Sequence, residues 1–89
     1  MTREEVTLRI RKIMLDHFEE TTGDQFDPEN LTMETALMQG LSFDSLDVIE
    51  VTMAIEDAFD IEFTDASIEN FVTLANVVDH VVSTLQVAA

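Results

Sequence analysis

The chain has 89 residues, is 46 % hydrophobic, and sets 19 Asp/Glu against four Lys/Arg, for a formal net charge of -15. That length holds one small domain, the apolar content is too high for a disordered acidic tail, and two glycines with one proline are too few for a many-stranded β fold. So anionic a surface excludes nucleic acid and anionic membranes as partners, because both are bound through cations.

The first predicted element is a helix from Thr2 or Arg3 to about Glu20. Thr2 and Glu5 have capping-box spacing, and Gly23 follows its end. Val6, Ile10, Ile13, Met14 and His17 share one face at helical spacing. All four cations (Arg3, Arg9, Arg11, Lys12) lie in the first twelve residues of the chain, and all but two of the acids follow Lys12. Self-repulsion follows, so salt or divalent cations should raise stability.

Residues 21–43 read as a long connection marked by Thr21-Thr22-Gly23-Asp24 and Asp27-Pro28. Phe26, Leu31, Leu37 and Leu41 are its candidate anchors, and a helical turn is expected within Met33–Met38. The next helix is predicted from Asp44 to Phe59 or Asp60, with Asp44 as N-cap and Asp47 at the third helical position, where the dipole favours negative charge. Asp65 is expected to cap a short helix to about Asn70. A last helix runs from about Thr73 to Gln86, with Leu74, Val77, Val78, Val81, Val82 and Leu85 on one face. The resulting fold class is all-α: a small four-helix bundle, three longer helices and one short, with a long first loop and a single domain over residues 1–89.

The Asp44 helix carries two apolar stripes. Val48, Val51, Thr52, Ile55 and Phe59 form an ordinary core face. Leu46, Ile49 and Met53 form a second, interleaved with Asp47, Glu50, Glu56 and Asp57. Apolar side chains rimmed by carboxylates suit a partner whose apolar pocket is ringed by Lys and Arg. The alternative is a helix buried on two sides. Ser45 stands at the helix start, where unpaired N–H groups and the positive dipole end favour a phosphate, so it reads as an attachment point.

Other chemistries find little support. The chain has no cysteine, hence no disulfide and no thiol of its own. Ser45 lacks a Gly-x-Ser-x-Gly elbow, and only His17 and His80 could serve as a base, so intrinsic catalysis is not expected. His17 reads as a packed or edge histidine and His80 as a solvated neighbour of Asp79. Asp57, Asp60, Glu62 and Asp65 cluster without EF-hand spacing. Loose divalent binding is compatible with them, but no dedicated metal site is expected.

Asp44-Ser45-Leu46-Asp47, followed by Glu50, Met53-Ala54-Ile55-Glu56-Asp57 and Phe59-Asp60-Ile61-Glu62-Phe63, resembles the acyl carrier protein family over nearly the whole chain. The resemblance implies 4′-phosphopantetheine, drawn from coenzyme A, in phosphodiester linkage to Ser45, with acyl groups carried as thioesters. It implies a partner-binding surface of Asp44, Leu46, Asp47, Ile49, Glu50, Met53, Glu56 and Asp57, and an acyl cavity lined by Val51, Ile55, Phe59, Ile68, Phe71 and Val81. The implied partners are a phosphopantetheinyl transferase and acyl-transfer and chain-elongation enzymes with basic docking patches. A cytoplasmic monomer without membrane insertion is expected, serving fatty acid or specialised lipid synthesis. The alternatives are a type II polyketide carrier or an unmodified acidic helical interaction module. The chain departs from the common fatty-acid pattern at Ser42 (usually glycine), Phe43 (usually smaller), Thr64 (often proline) and in its longer 21–43 connection. Bulky Ile68 and Phe71 lead to the expectation of a narrow resting cavity.

Overall fold

Three apolar helix faces meet to make the core. A computed structural model describes residues 1–85, and the last predicted helical residue, Gln86, lies outside that range. Among the described residues there are five α-helices and one 3-10 turn: α1 Arg3–Thr22, the turn Pro28–Asn30, α2 Leu37–Gly40, α3 Ser45–Phe59, α4 Asp65–Glu69 and α5 Leu74–Leu85. The all-α expectation holds, with one short helix more than predicted.

Helix α1 starts where the Thr2 side chain accepts the Glu5 N–H, 3.2 Å away. It outlasts the predicted end at Glu20 by two residues, and the Thr21 and Thr22 hydroxyls donate back to the His17 and Phe18 carbonyls. Gly23, at φ 76°, then takes the left-handed turn and donates its N–H to the Glu19 carbonyl. Val6, Ile10 and Met14 are fully buried against α3 and α5. Helices α1 and α3 run antiparallel: His17 meets Asp47 at the start of α3, while Arg9 lies over the Phe59 ring at its end, 6.0 Å from the centroid. Arg3 pairs with Asp79 of α5, and Lys12 with Asp16 at 3.0 Å.

The connection from Gly23 to Asp44 lacks long helices, yet it is part of the core. Leu31, Leu37, Leu41 and Phe43 are buried, and Phe26 packs edge-on against Phe18. Arg11 donates to the carbonyls of Leu31 and Pro28, the latter at 2.7 Å. The Thr35 hydroxyl accepts the Thr32 N–H and donates to the Asn30 carbonyl. Such bonding answers the loop's polar backbone, which would otherwise be costly to bury.

Within Met33–Met38, where a helical turn was expected, a turn at residues 33 and 34 is closed by the Thr35 N–H donating to the Thr32 carbonyl, and helix α2 starts only at Leu37. Ala36 between them is extended, forming an isolated antiparallel bridge with Thr73, and the Leu37 N–H donates to the Val72 carbonyl. A Cβ at Gly40 would lie 2.5 Å from the Thr35 methyl, so a larger residue there would have to push Thr35 aside.

Helix α3 begins as expected, with Asp44 as N-cap. Helix α4 is capped by Thr64 rather than Asp65: the Thr64 side chain accepts the Ser67 N–H at 3.1 Å, leaving Asp65 as the first helical residue. Thr64 is extended, at φ -81° and ψ 158°, as an N-cap must be, and it occupies the position where proline was expected from the family. Leu74, Val77, Val78 and Val81 of α5 are buried, with Val82 and Leu85 half-buried beside them. Each such aliphatic side chain contributes about 1.5–3 kcal/mol on full burial, which explains why valine-rich α5 is helical despite its strand propensity.

Candidate functional site

The start of α3 is held by a reciprocal cap. The Asp47 N–H donates to Asp44 Oδ1 at 2.9 Å, and the Asp44 N–H donates to Asp47 Oδ2 at 3.0 Å. Ser45 follows the cap directly, at the first helical position, and is exposed. The N–H groups of Ser45 and Leu46 belong to the first turn, where a helix supplies no acceptor. An oxyanion attached to Ser45 would therefore meet backbone donors and the positive end of the dipole.

The second oxygen pair of this cap reaches α1. Asp47 Oδ1 lies 2.9 Å from His17 Nε2, and Glu50 Oε2 lies 3.7 Å from the same nitrogen. The His17 ring is edge-on to Phe43, with centroids 5.3 Å apart. The N–H donated by Asp44, then the hydrogen bond from His17, hold the Asp47 carboxyl below the usual carboxylate range. The sequence placed His17 on the inner edge of α1. It gave no sign of Asp47, 30 residues away, as its partner.

The two stripes of α3 separate cleanly. Val48, Val51, Thr52, Ile55 and Phe59 are buried, whereas Leu46, Ile49 and Met53 are 62, 46 and 58 % exposed. A helix buried on two sides is thereby ruled out. Of the acids interleaved with the outer stripe, Asp44, Glu50 and Asp57 are exposed. Asp47 is half-buried with both oxygens engaged, and Glu56 is turned back to accept the Phe63 N–H at 2.8 Å.

A groove of about 530 Å³ opens beside Ser45, between α2, the first half of α3 and the segment from Ile68 to Val72. Met38, Val48, Ile49, Ile68, Phe71 and Val72 make it largely apolar. It brings Ile68 and Phe71 of the expected cavity together with Ser45. Val51, Ile55, Phe59 and Val81 do not line it; they are close-packed in the core beneath. Met38 and Val72 were not anticipated, although both are exposed apolar residues outside the helical periodicities. A second groove of about 570 Å³, lined by Thr7, Leu8 and Met33, lies at the start of α1, is more open, and does not include Ser45.

His80 differs from its expectation as a solvated neighbour of Asp79. It is half-buried against the touching rings of Phe63 and Phe71, with centroids at 5.3 and 5.5 Å, and Asp79 pairs with Arg3 instead. Aromatic packing next to an apolar helix face outweighs an exposed pairing between sequence neighbours.

Comparison with known proteins agrees with this geometry. The family described as phosphopantetheine attachment site matches residues 12–81. The acyl carrier protein of Phenylobacterium zucineum is 36 % identical over 74 residues, covering 83 % of this chain and 86 % of that one. That of Campylobacter curvus is 40 % identical over 55 residues, covering 62 and 71 %. The solved structure of the acyl carrier protein from Enterococcus faecalis superposes with a TM-score of 0.75 at 32 % identity, covering 93 % of this chain and 98 % of that chain.

Proposed function

This chain belongs to the acyl carrier protein family, and from that premise we propose that Ser45 is its attachment residue and the outer stripe of α3 its docking surface. Proteins of this family are carriers rather than catalysts, and the group carried is 4′-phosphopantetheine. When bound, that arm supplies the thiol on which acyl groups travel as thioesters. The single observation that carries the assignment is an exposed serine at the first position of a capped helix, with an apolar groove opening beside it.

In this reading Ser45 Oγ bonds to the phosphorus of the pantetheine phosphate of coenzyme A, and the adenosine bisphosphate leaves. The serine proton passes to a base on the transferase. The first-turn N–H groups of α3 face the resulting phosphodiester. Asp44 sits on the open side of the helix start, where it can meet basic groups of the transferase. Asp47 holds the helix start in place through the cap and His17. Incubation with coenzyme A and a broad phosphopantetheinyl transferase should add one prosthetic-group mass, and Ser45→Ala should abolish it. A Ser45→Ala chain that still gains the mass would move the attachment elsewhere.

Leu46, Ile49 and Met53, with Glu50 and Asp57 beside them, form the proposed contact for acyl-transfer and elongation enzymes bearing basic rims. Met53 suits a surface that must fit several of them. The proposed setting is the cytoplasm, where coenzyme A supplies the arm, and the proposed work is fatty acid or specialised lipid assembly. The groove is proposed to receive the distal arm and the first part of an acyl chain. Deeper insertion would have to displace close-packed Val51, Ile55, Phe59 and Val81, at a cost set by core packing. Loading a long acyl group should therefore shift the nuclear magnetic resonance signals of Ile68 and Phe71. Large shifts at Ile55 and Val81 would refute shallow holding.

A further inference from the structure

We propose that His17, Asp47 and Glu50 form a binding site for a transition-series divalent cation of the zinc class, joining α1 to the first turns of α3. The inference is independent of what Ser45 carries. One donor atom from each of the three residues lies within 4.8 Å of the others. His17 Nε2 stands 2.9 Å from Asp47 Oδ1 and 3.7 Å from Glu50 Oε2. In a tetrahedral zinc complex with bonds of about 2.0–2.1 Å, neighbouring donors are about 3.3–3.4 Å apart. The two distances to His17 bracket that spacing, so each needs to change by only about half an ångström, and the two carboxylates lie within 4.8 Å of each other.

Two of the three donors are held in place by contacts of their own. The His17 side chain is only 12 % exposed, and Phe43 fixes its ring edge-on. Asp47 gives its other oxygen, Oδ2, to the Asp44 N–H, which leaves Oδ1 aimed at His17 without loss of the helix cap. Outer contacts of this kind orient metal ligands and raise affinity. Glu50 is half-exposed and lies one turn beyond Asp47, so it gives an ion a route from water and closes the third side.

The donor set decides the ion. One imidazole and two carboxylates favour zinc, cobalt or nickel, whereas calcium and magnesium prefer oxygen donors throughout. Three protein ligands leave a position for water, as in open zinc sites. On binding, the ion takes the place of the hydrogen between His17 Nε2 and Asp47, and the ring stays neutral with its one hydrogen on Nδ1. Occupancy would brace α1 against α3 and withdraw Glu50 from the docking surface.

The test uses the full chain freed of metal by a chelator, with zinc titrated at constant ionic strength. The two histidines give separate ring resonances. The His17 resonances should shift with saturation near one equivalent while those of His80 stay in place, and the melting temperature should rise. His17→Gln, which keeps a hydrogen-bond donor for Asp47, and Glu50→Gln, at a half-exposed position, should each weaken zinc binding about tenfold or more. Calcium at equal concentration should leave the His17 ring unmoved. The proposal is overturned if zinc leaves the His17 ring unmoved, or moves both rings alike as diffuse counter-ion binding would. It is equally overturned if both variants bind zinc as tightly as the parent chain.

Discussion

The two faces of α3 are made of similar residues and have opposite fates. Val48, Val51, Ile55 and Phe59 are sealed in the core, while Leu46, Ile49 and Met53 stand in water. Apolar content does not distinguish them, and neither does helical spacing. The difference lies in what surrounds each stripe. The inner one faces α1, which offers a matching apolar row. The outer one is interleaved with carboxylates, which cannot be buried without a cation. An apolar row that shares its face with exposed acids such as Glu50 and Asp57 is suited to the proposed docking of a partner that brings positive charge.

The strongest way to break this contrast is to shorten one side chain on each face. Ile55→Ala should lower unfolding stability by about 2–5 kcal/mol, read by urea denaturation. Met53→Ala should change it by no more than about 0.5 kcal/mol yet weaken association with partner enzymes. Equal losses of stability would erase the distinction. A smaller effect is expected from Asp57→Lys on the outer rim. Association with a basic partner should slow by about tenfold at low salt and by much less at high salt, because steering is screened. A rate unchanged at low salt would remove Asp57 from the docking surface.

The smallest effect concerns the join between the two faces. The Asp47 carboxyl titrates below its usual range, so folding favours its ionised form. The associated stability is fully present above the unfolded carboxylate pKa of about 4 and is lost as pH falls through the lower folded value. Asp47→Asn should therefore be less stable than the parent at neutral pH, and the gap should narrow below about pH 4. A gap of constant size across that window would show that Asp47 acts through shape alone.

What the sequence made legible was local. Thr2 with Glu5, Asp44 with Asp47, and Gly23 after α1 each act within a few residues, so cap and stop signals placed α1 and α3 to within two residues. The core faces of α3 and α5 were equally plain, because helical spacing is periodic. The misplaced features depend on partners distant in the chain. Helix α2 waits on the Ala36–Thr73 bridge, and Asp79 is claimed by Arg3, 76 residues away. The groove beside Ser45 exists only where α2, α3 and the Ile68–Val72 segment converge. Of the residues expected to shelter cargo, Ile68 and Phe71 sit on that junction, while helical spacing alone could not separate them from their core neighbours. Ser42 was noted as standing where glycine is usual, and its φ of 58° supplies the reason: the backbone there is in the left-handed region.

Because α1 and α3 run antiparallel, the placement of the positive side chains has a directional outcome. Arg9 sits by Phe59, at the far end of α3 from Ser45, and a helix of 15 residues spans about 22 Å. Among the described residues no lysine or arginine pairs with Asp44, Asp47, Glu50 or Asp57, so the acids around the serine meet no such opposing cation from the chain itself.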